Sequence, residues 1–301
     1  MGESAALNGK IPSGTIHRTI GLLQGALRRL DASVDDGEIE RIGVMVNTAM
    51  STQQRNFHTP EHIFDLSDPE NPHTTLAALF HDIVYYHVDD GFSREIAALL
   101  DPYIEYSGDT VRIVDTVSPE QRAFHGCASV FGFQPGQPLS PFGGLNEFLS
   151  ALVMDLLLVD SVADVDLLIA TACIEMTIPF RGEDEEGNEP AERLRRRIVT
   201  TNEAFRLGLS DDAIHRTVTE AVYFSNRDVY NFAESEPARF LDNTWKLLPE
   251  TNPELRIHGL YTIRNYSTAL MKMEGFLTHL PPENVFQRFG PHPSPEEYER
   301  L

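Results

Sequence analysis

The sequence predicts an all-α fold, and three observations carry that prediction. Apolar residues recur at spacings of three and four along most of the chain, the period of a helix with one buried face. No sustained period-two alternation flanked by hairpin turns occurs, so strands should be few. Several periodic segments also open on helix-starting residues, Thr59-Pro60 among them.

Taken in order, Ile16, Ile20, Leu23, Ala26, Leu27 and Leu30 line one helical face. Asp35-Asp36 opens a second helix that buries Ile39, Ile42, Val46 and Ala49. Thr59 as N-cap and Pro60 at the first helical position start a third, with His62 in its first turn pointing inward beside Ile63. Further helices are expected over residues 74–86, 93–105, 119–131, 144–160, 163–175, 190–207, 210–225, 237–248 and 254–280. The last carries apolar and aromatic residues around much of its circumference. It reads as core, with a homodimer face as the alternative. Between Gly182 and Glu192 six of eleven residues are acidic, and Arg193, Arg195, Arg196 and Arg197 follow at once. Acid before base suits the macrodipole of a helix starting near Pro190, and equally a solvated face.

The chain has 301 residues, 41% of them hydrophobic, enough to bury a full core. No linker cuts it, so a single domain is expected over residues 1–301, with a core at about 15–280 and a surface extension at 281–301. The formal net charge of −22 opposes a phosphate backbone and argues against nucleic-acid polymers as partners. Cys127 and Cys173 are the only cysteines, which suits buried thiols in a reducing compartment rather than a disulfide framework. No apolar run approaches the roughly 20 residues of a membrane span. The segment Met1-Gly2-Glu3-Ser4 lacks the pattern of a signal peptide, so a cytoplasmic protein with no membrane partner is expected.

Four of the eleven histidines fall within residues 58–81. His58 and His62 flank the predicted helix start, and His81-Asp82 interrupts the apolar run from Leu76 to Tyr85. An adjacent His and Asp in such a run are costly unless something satisfies both. A divalent metal would do so, since imidazole and carboxylate are its usual nitrogen and oxygen ligands. The alternative is a set of hydrogen-bonded core residues.

The pattern Arg55-x-Phe57-His58-x-x-x-His62, a short gap, and Phe80-His81-Asp82-Ile83-Val84-Tyr85 resembles the HD superfamily of metal-dependent phosphohydrolases. It is most similar to a bacterial branch that usually carries tyrosine where Phe57 stands. The resemblance is specific for Arg55 to Tyr86 and diffuse beyond. It implies an HD-domain-like helical bundle with peripheral helices, holding one or two divalent ions (Mn, Fe, Mg, Zn, Ni or Co) through an H…HD…D set. His62 matches the first ligand, His81 and Asp82 the central pair, and His58 an extra histidine that ligates metal or faces substrate. Asp228, in the polar trio Asn226-Arg227-Asp228 of an apolar helix, is preferred as the final ligand. Asp160 is the rival and also reads as a helix-ending residue.

The implied reaction is hydrolysis of a small phosphorylated molecule, a nucleotide among the candidates. A metal lowers the pKa of water and neutralises a phosphoryl oxygen. Asp82 would orient or deprotonate the water, and Glu95 is a candidate acid for the leaving oxygen. Glu95 equally reads as a solvent-facing partner of a nearby charge. Arg55 and Arg227 could clamp phosphate, or pair with acidic neighbours. Glu175 stands where the branch often has a histidine, and could face the site with Arg181 above it or close a helix before Pro179. The competing reading is a metal-stabilised helical protein that binds a ligand or partner without turnover.

Overall fold

Helix entry is set locally. Asp35 accepts a hydrogen bond from the Gly37 amide, Ser93 from Ile96, and Ser210 from Ala213, each at the N-terminus of a helix. Asn71 does the same for His73 and Thr74, with Pro72 at the first helical position. Thr59 stands at an N-cap, but its hydroxyl makes no capping bond. The computed structural model describes residues 14–107, 110–256 and 260–301.

Helices α1 (Thr15–Arg29), α2 (Asp36–Met50), α3 (Pro60–Leu66), α4 (Pro72–Phe80) and α5 (Arg94–Leu100) come first. A hairpin follows, β1 (Ile104–Ser107) with β2 (Thr110–Ile113), and then α6 (Arg122–Phe131), α7 (Leu145–Leu158), α8 (Asp164–Met176), α9 (Pro190–Phe205) and α10 (Asp211–Asp228). The remaining helices are α11 (Pro237–Thr251), α12 (Ile263–His279), α13 (Pro282–Val285) and α14 (Pro295–Tyr298). The fold is all-α.

The middle of the bundle is α8, which packs against α4, α6, α7, α9 and α10. Its apolar residues are buried around the whole circumference from Ala170 to Ile174, as a helix surrounded by others requires. Helices α1 and α2 pair closely because Gly43 lacks a side chain; a Cβ there would lie 2.5 Å from Ile20 Cγ1. One core runs from Leu23 to Phe289, and a small satellite of Leu248, Leu255 and Ala269 joins α11 to α12. No helix of the described residues is long and apolar enough to cross a membrane.

Four sequence expectations need correction. The helix expected over 74–86 ends at Phe80, because the following turn takes its hydrogen bonds from elsewhere. The Val84 amide donates to Ser150 Oγ, the Tyr86 amide to Asn146 Oδ1, and Arg55 donates to the Asp82 carbonyl. The helix expected over 93–105 stops at Leu100, and Ile104–Ser107 pairs antiparallel with Thr110–Ile113, burying Ile104, Val111 and Ile113. The long C-terminal helix is not core: α12 buries only Ala269, whereas Ile263 is 88% and Met271 64% exposed. Residues 281–301 are docked rather than superficial. Val285, Phe286 and Phe289 are buried, and Asn226 exchanges two hydrogen bonds with the backbone of Gln287.

Candidate metal centre

His62 comes from the first turn of α3, His81 and Asp82 from the turn that ends α4, and Asp228 from the last residue of α10. His81 donates from Nδ1 to the Ala78 carbonyl at 3.1 Å, which fixes the tautomer of the neutral ring and would leave its Nε2 free to ligate. That Nε2 lies 3.3 Å from His62 Nε2, 2.9 Å from Asp82 Oδ2 and 3.4 Å from Asp228 Oδ1. His62 Nε2 lies 2.9 Å from Asp228 Oδ1 and 3.9 Å from Asp82 Oδ2.

These separations can be set against coordination geometry. With ligand bonds of about 2.1 Å, neighbouring donors sit about 3.0 Å apart in an octahedron and about 3.4 Å apart in a tetrahedron. The observed edges of 2.9–3.9 Å bracket both values. Asp82 Oδ2 is buried yet accepts no hydrogen bond from the described residues, although His81 Nε2 is near. A buried carboxylate oxygen faced only by imidazole nitrogens needs a cation beside it, either a protonated ring or a metal ion. The donor set therefore fits a divalent ion.

The electrostatics agree with that chemistry. Burial opposes charge on Asp82 and Asp228, but the imidazoles, His81 foremost, outweigh it and hold both carboxyls far below the usual range. Burial likewise opposes charge on His81, and the two carboxylates outweigh it and raise the ring well above its ordinary value. A cation in this position would take over the role of those protons.

The structure does not bring every candidate to this point. His58 is close: its Nε2 lies 4.0 Å from Asp82 Oδ2, and its Nδ1 bonds Glu250. Asp160 is exposed just beyond the end of α7 and joins no metal-ligating group among the described residues. Glu95 lies on the surface of α5, paired with Arg41, so it cannot serve as the acid of a buried centre. Arg55 is not a free clamp. Its side chain is buried, gives Nε and Nη2 to Asp89 at 3.1 and 2.6 Å, and gives Nη1 to the Asp82 carbonyl at 2.6 Å. It acts by holding the backbone of the Asp82 turn. Glu175 is buried between Arg181 and Arg197, each at 2.5 Å, and joins no metal-ligating group. Arg227 donates to the Leu66 carbonyl and lines a cavity of about 690 Å³. His62, Asp228, Phe57, Tyr230 and Lys246 share its wall. That volume suits a small molecule, and it opens directly on two of the donors.

Three residues were not singled out from sequence. Asp89 anchors Arg55, and Glu250 binds His58. Glu147, at the start of α7, buries Oε2 without a partner among the described residues. Burial first, then the nearby charges of Asp82 and Asp228, push its carboxyl up to about 7. The signal for Glu147 was an acid inside the strongly apolar α7. Glu250 had no local signal.

No model of a known family, no curated protein and no solved structure matches the chain.

Proposed function

We propose that this protein is a metal-dependent phosphohydrolase of the HD kind, acting on a small phosphorylated molecule such as a nucleotide. The observation that carries the reading is the convergence of His62, His81, Asp82 and Asp228, with a carboxylate oxygen left without a donor, at the wall of a small-molecule cavity. These four side chains would hold a divalent ion such as Mn, Fe, Mg, Zn, Ni or Co. When bound, the ion supplies Lewis acidity toward a phosphoryl oxygen and toward water.

The chain's own residues contribute the remainder. Asp82 orients water through its carboxylate, which faces the imidazoles of His62 and His81. Arg227 and Lys246 bring positive charge to a cavity that an anion must otherwise enter against −22 overall. Glu95, held at the surface by Arg41, is dropped as the proton donor. The test is elemental analysis of the purified protein followed by a phosphate-release screen on nucleotides, with His81→Ala and Asp82→Ala as controls. Stoichiometric metal and release abolished in both variants are expected; full activity in either variant would refute the reading.

A second reading keeps the metal and drops turnover, leaving a helical protein that binds a ligand or partner. Its support is the presence of Glu61, Asp65 and Glu234 on the same cavity wall, which weakens the attraction for phosphate. Stoichiometric metal with no hydrolysis across the screen selects it.

A further inference from the structure

Glu250 is separated from His58 by 192 positions and is 1% exposed, yet it holds one short segment at four points. Its Oε1 accepts from the backbone amides of Asn56, Phe57 and His58 at 2.5, 2.7 and 3.2 Å. Its Oε2 lies 2.7 Å from His58 Nδ1. An ionised carboxylate can only accept, so the proton in that last bond belongs to Nδ1. A neutral imidazole carries one such proton, which leaves Nε2 as a bare lone pair. That nitrogen is the one 4.0 Å from Asp82 Oδ2, on the side of the four donors. The ring also packs edge-on against Tyr85, with centroids 5.0 Å apart, which restricts its rotation.

We propose that Glu250 is a positioning residue that fixes the tautomer of His58 and presents its Nε2 lone pair to the metal group. The inference rests on reading His62, His81, Asp82 and Asp228 as a metal centre. Its consequence is that α11 completes a site whose other donors come from α3, the end of α4 and α10. His58 then joins as an additional nitrogen donor, with the carboxylate behind it in the arrangement that raises ligand basicity.

The deciding variant is Glu250→Gln in the full chain. Three amides converge on Oε1, so the glutamine oxygen stays there and its NH2 group falls against Nδ1. Nδ1 must then accept, the ring proton moves to Nε2, and an N–H faces Asp82 in place of a lone pair. Long-range proton–nitrogen correlation spectra of the metal-free, histidine-labelled protein in alkaline buffer read this directly, with His58→Ala assigning the signals. The wild type is expected as the Nδ1–H tautomer and Glu250→Gln as the Nε2–H tautomer. An Nε2–H ring in the wild type, which needs no variant to detect, overturns the proposal.

Co²⁺ titration supplies the second arm. Glu250→Gln should weaken binding about 10–100-fold, the usual effect of losing a partner behind a ligand. In the His58→Ala background the same change should add nothing. A penalty of equal size in that background would mean that Glu250 only braces the backbone, and would overturn the proposal. Failure of the wild type to bind Co²⁺ sinks the metal centre itself, whereas the tautomer spectra read Glu250 alone, so the two failures are distinguishable.

Discussion

Two buried acidic clusters in this molecule are neutralised in opposite ways. Around Glu175, Arg181 and Arg197 both donate to the carboxylate oxygen Oε1, so the charge is met by the chain itself. Around Asp82 and Asp228 there is no guanidinium on the carboxylates, only imidazole nitrogens, and one oxygen of Asp82 accepts nothing from the described residues. The first carboxylate is neutralised by fixed guanidinium charges of the chain; the second pair is left to groups that can also ligate a metal. Asp155 is a third case. It sits buried in α7, accepts hydrogen bonds from Thr171 Oγ1, and is driven by burial well above the carboxylate range, so a proton neutralises it.

Breaking the open cluster should have the largest effect on function. Asp82→Ala or His81→Ala should lower metal affinity more than the 10–100-fold typical of outer partners. Equilibrium dialysis against Mn²⁺ or Zn²⁺ checks this, and unchanged affinity would count against a metal centre. Breaking the closed cluster should instead cost stability. Glu175→Ala leaves Arg181 and Arg197 without their partner, and loss of one member of a buried pair costs about 3–5 kcal/mol. Urea unfolding measures that loss, while the folded fraction should bind metal with unchanged stoichiometry.

The proton-neutralised case gives a smaller, pH-dependent effect. The folded pKa of Asp155 is raised, so its contribution is fully present below the ordinary carboxylate pKa and is lost as pH rises through the folded value. Asp155→Asn should flatten that part of the stability–pH profile, and urea midpoints across a pH series would show it. An unchanged slope would mean that Asp155 ionises in the fold at no cost. Smallest of all is Glu95→Gln. Removing its surface pair with Arg41 should change stability by less than about 1 kcal/mol and leave phosphate release unaltered.

The same contrast explains what sequence could and could not show. Helical periodicity marks the bundle because each buried face is written into local spacing. His81-Asp82 stood out because polar neighbours in the run Leu76–Tyr85 violate that spacing. Asp228 stood out for the same reason. The end of α4 was not legible, since Ser150, Asn146 and Arg55 terminate it from far along the chain. The roles of Arg55 and Arg197 were hidden likewise, because nothing beside them in sequence reveals Asp89 or Glu175 as their partner. The hairpin was hidden by its brevity, four residues to a strand. Glu250 was hidden by distance, and by a helix that runs past Pro249 to Thr251 instead of stopping at residue 248.

One contact has a mechanical meaning as well as a chemical one. His62 Nε2 and Asp228 Oδ1 meet at 2.9 Å although 166 positions separate them. An ion gripped by both is a cross-link, tying α3 to the far end of α10 and closing most of the bundle into a loop. By chain-entropy reasoning, closing a loop of more than 100 residues is worth on the order of 5 kcal/mol for as long as the link holds. Whatever the ion does to a substrate, it would also act as the molecule's rivet.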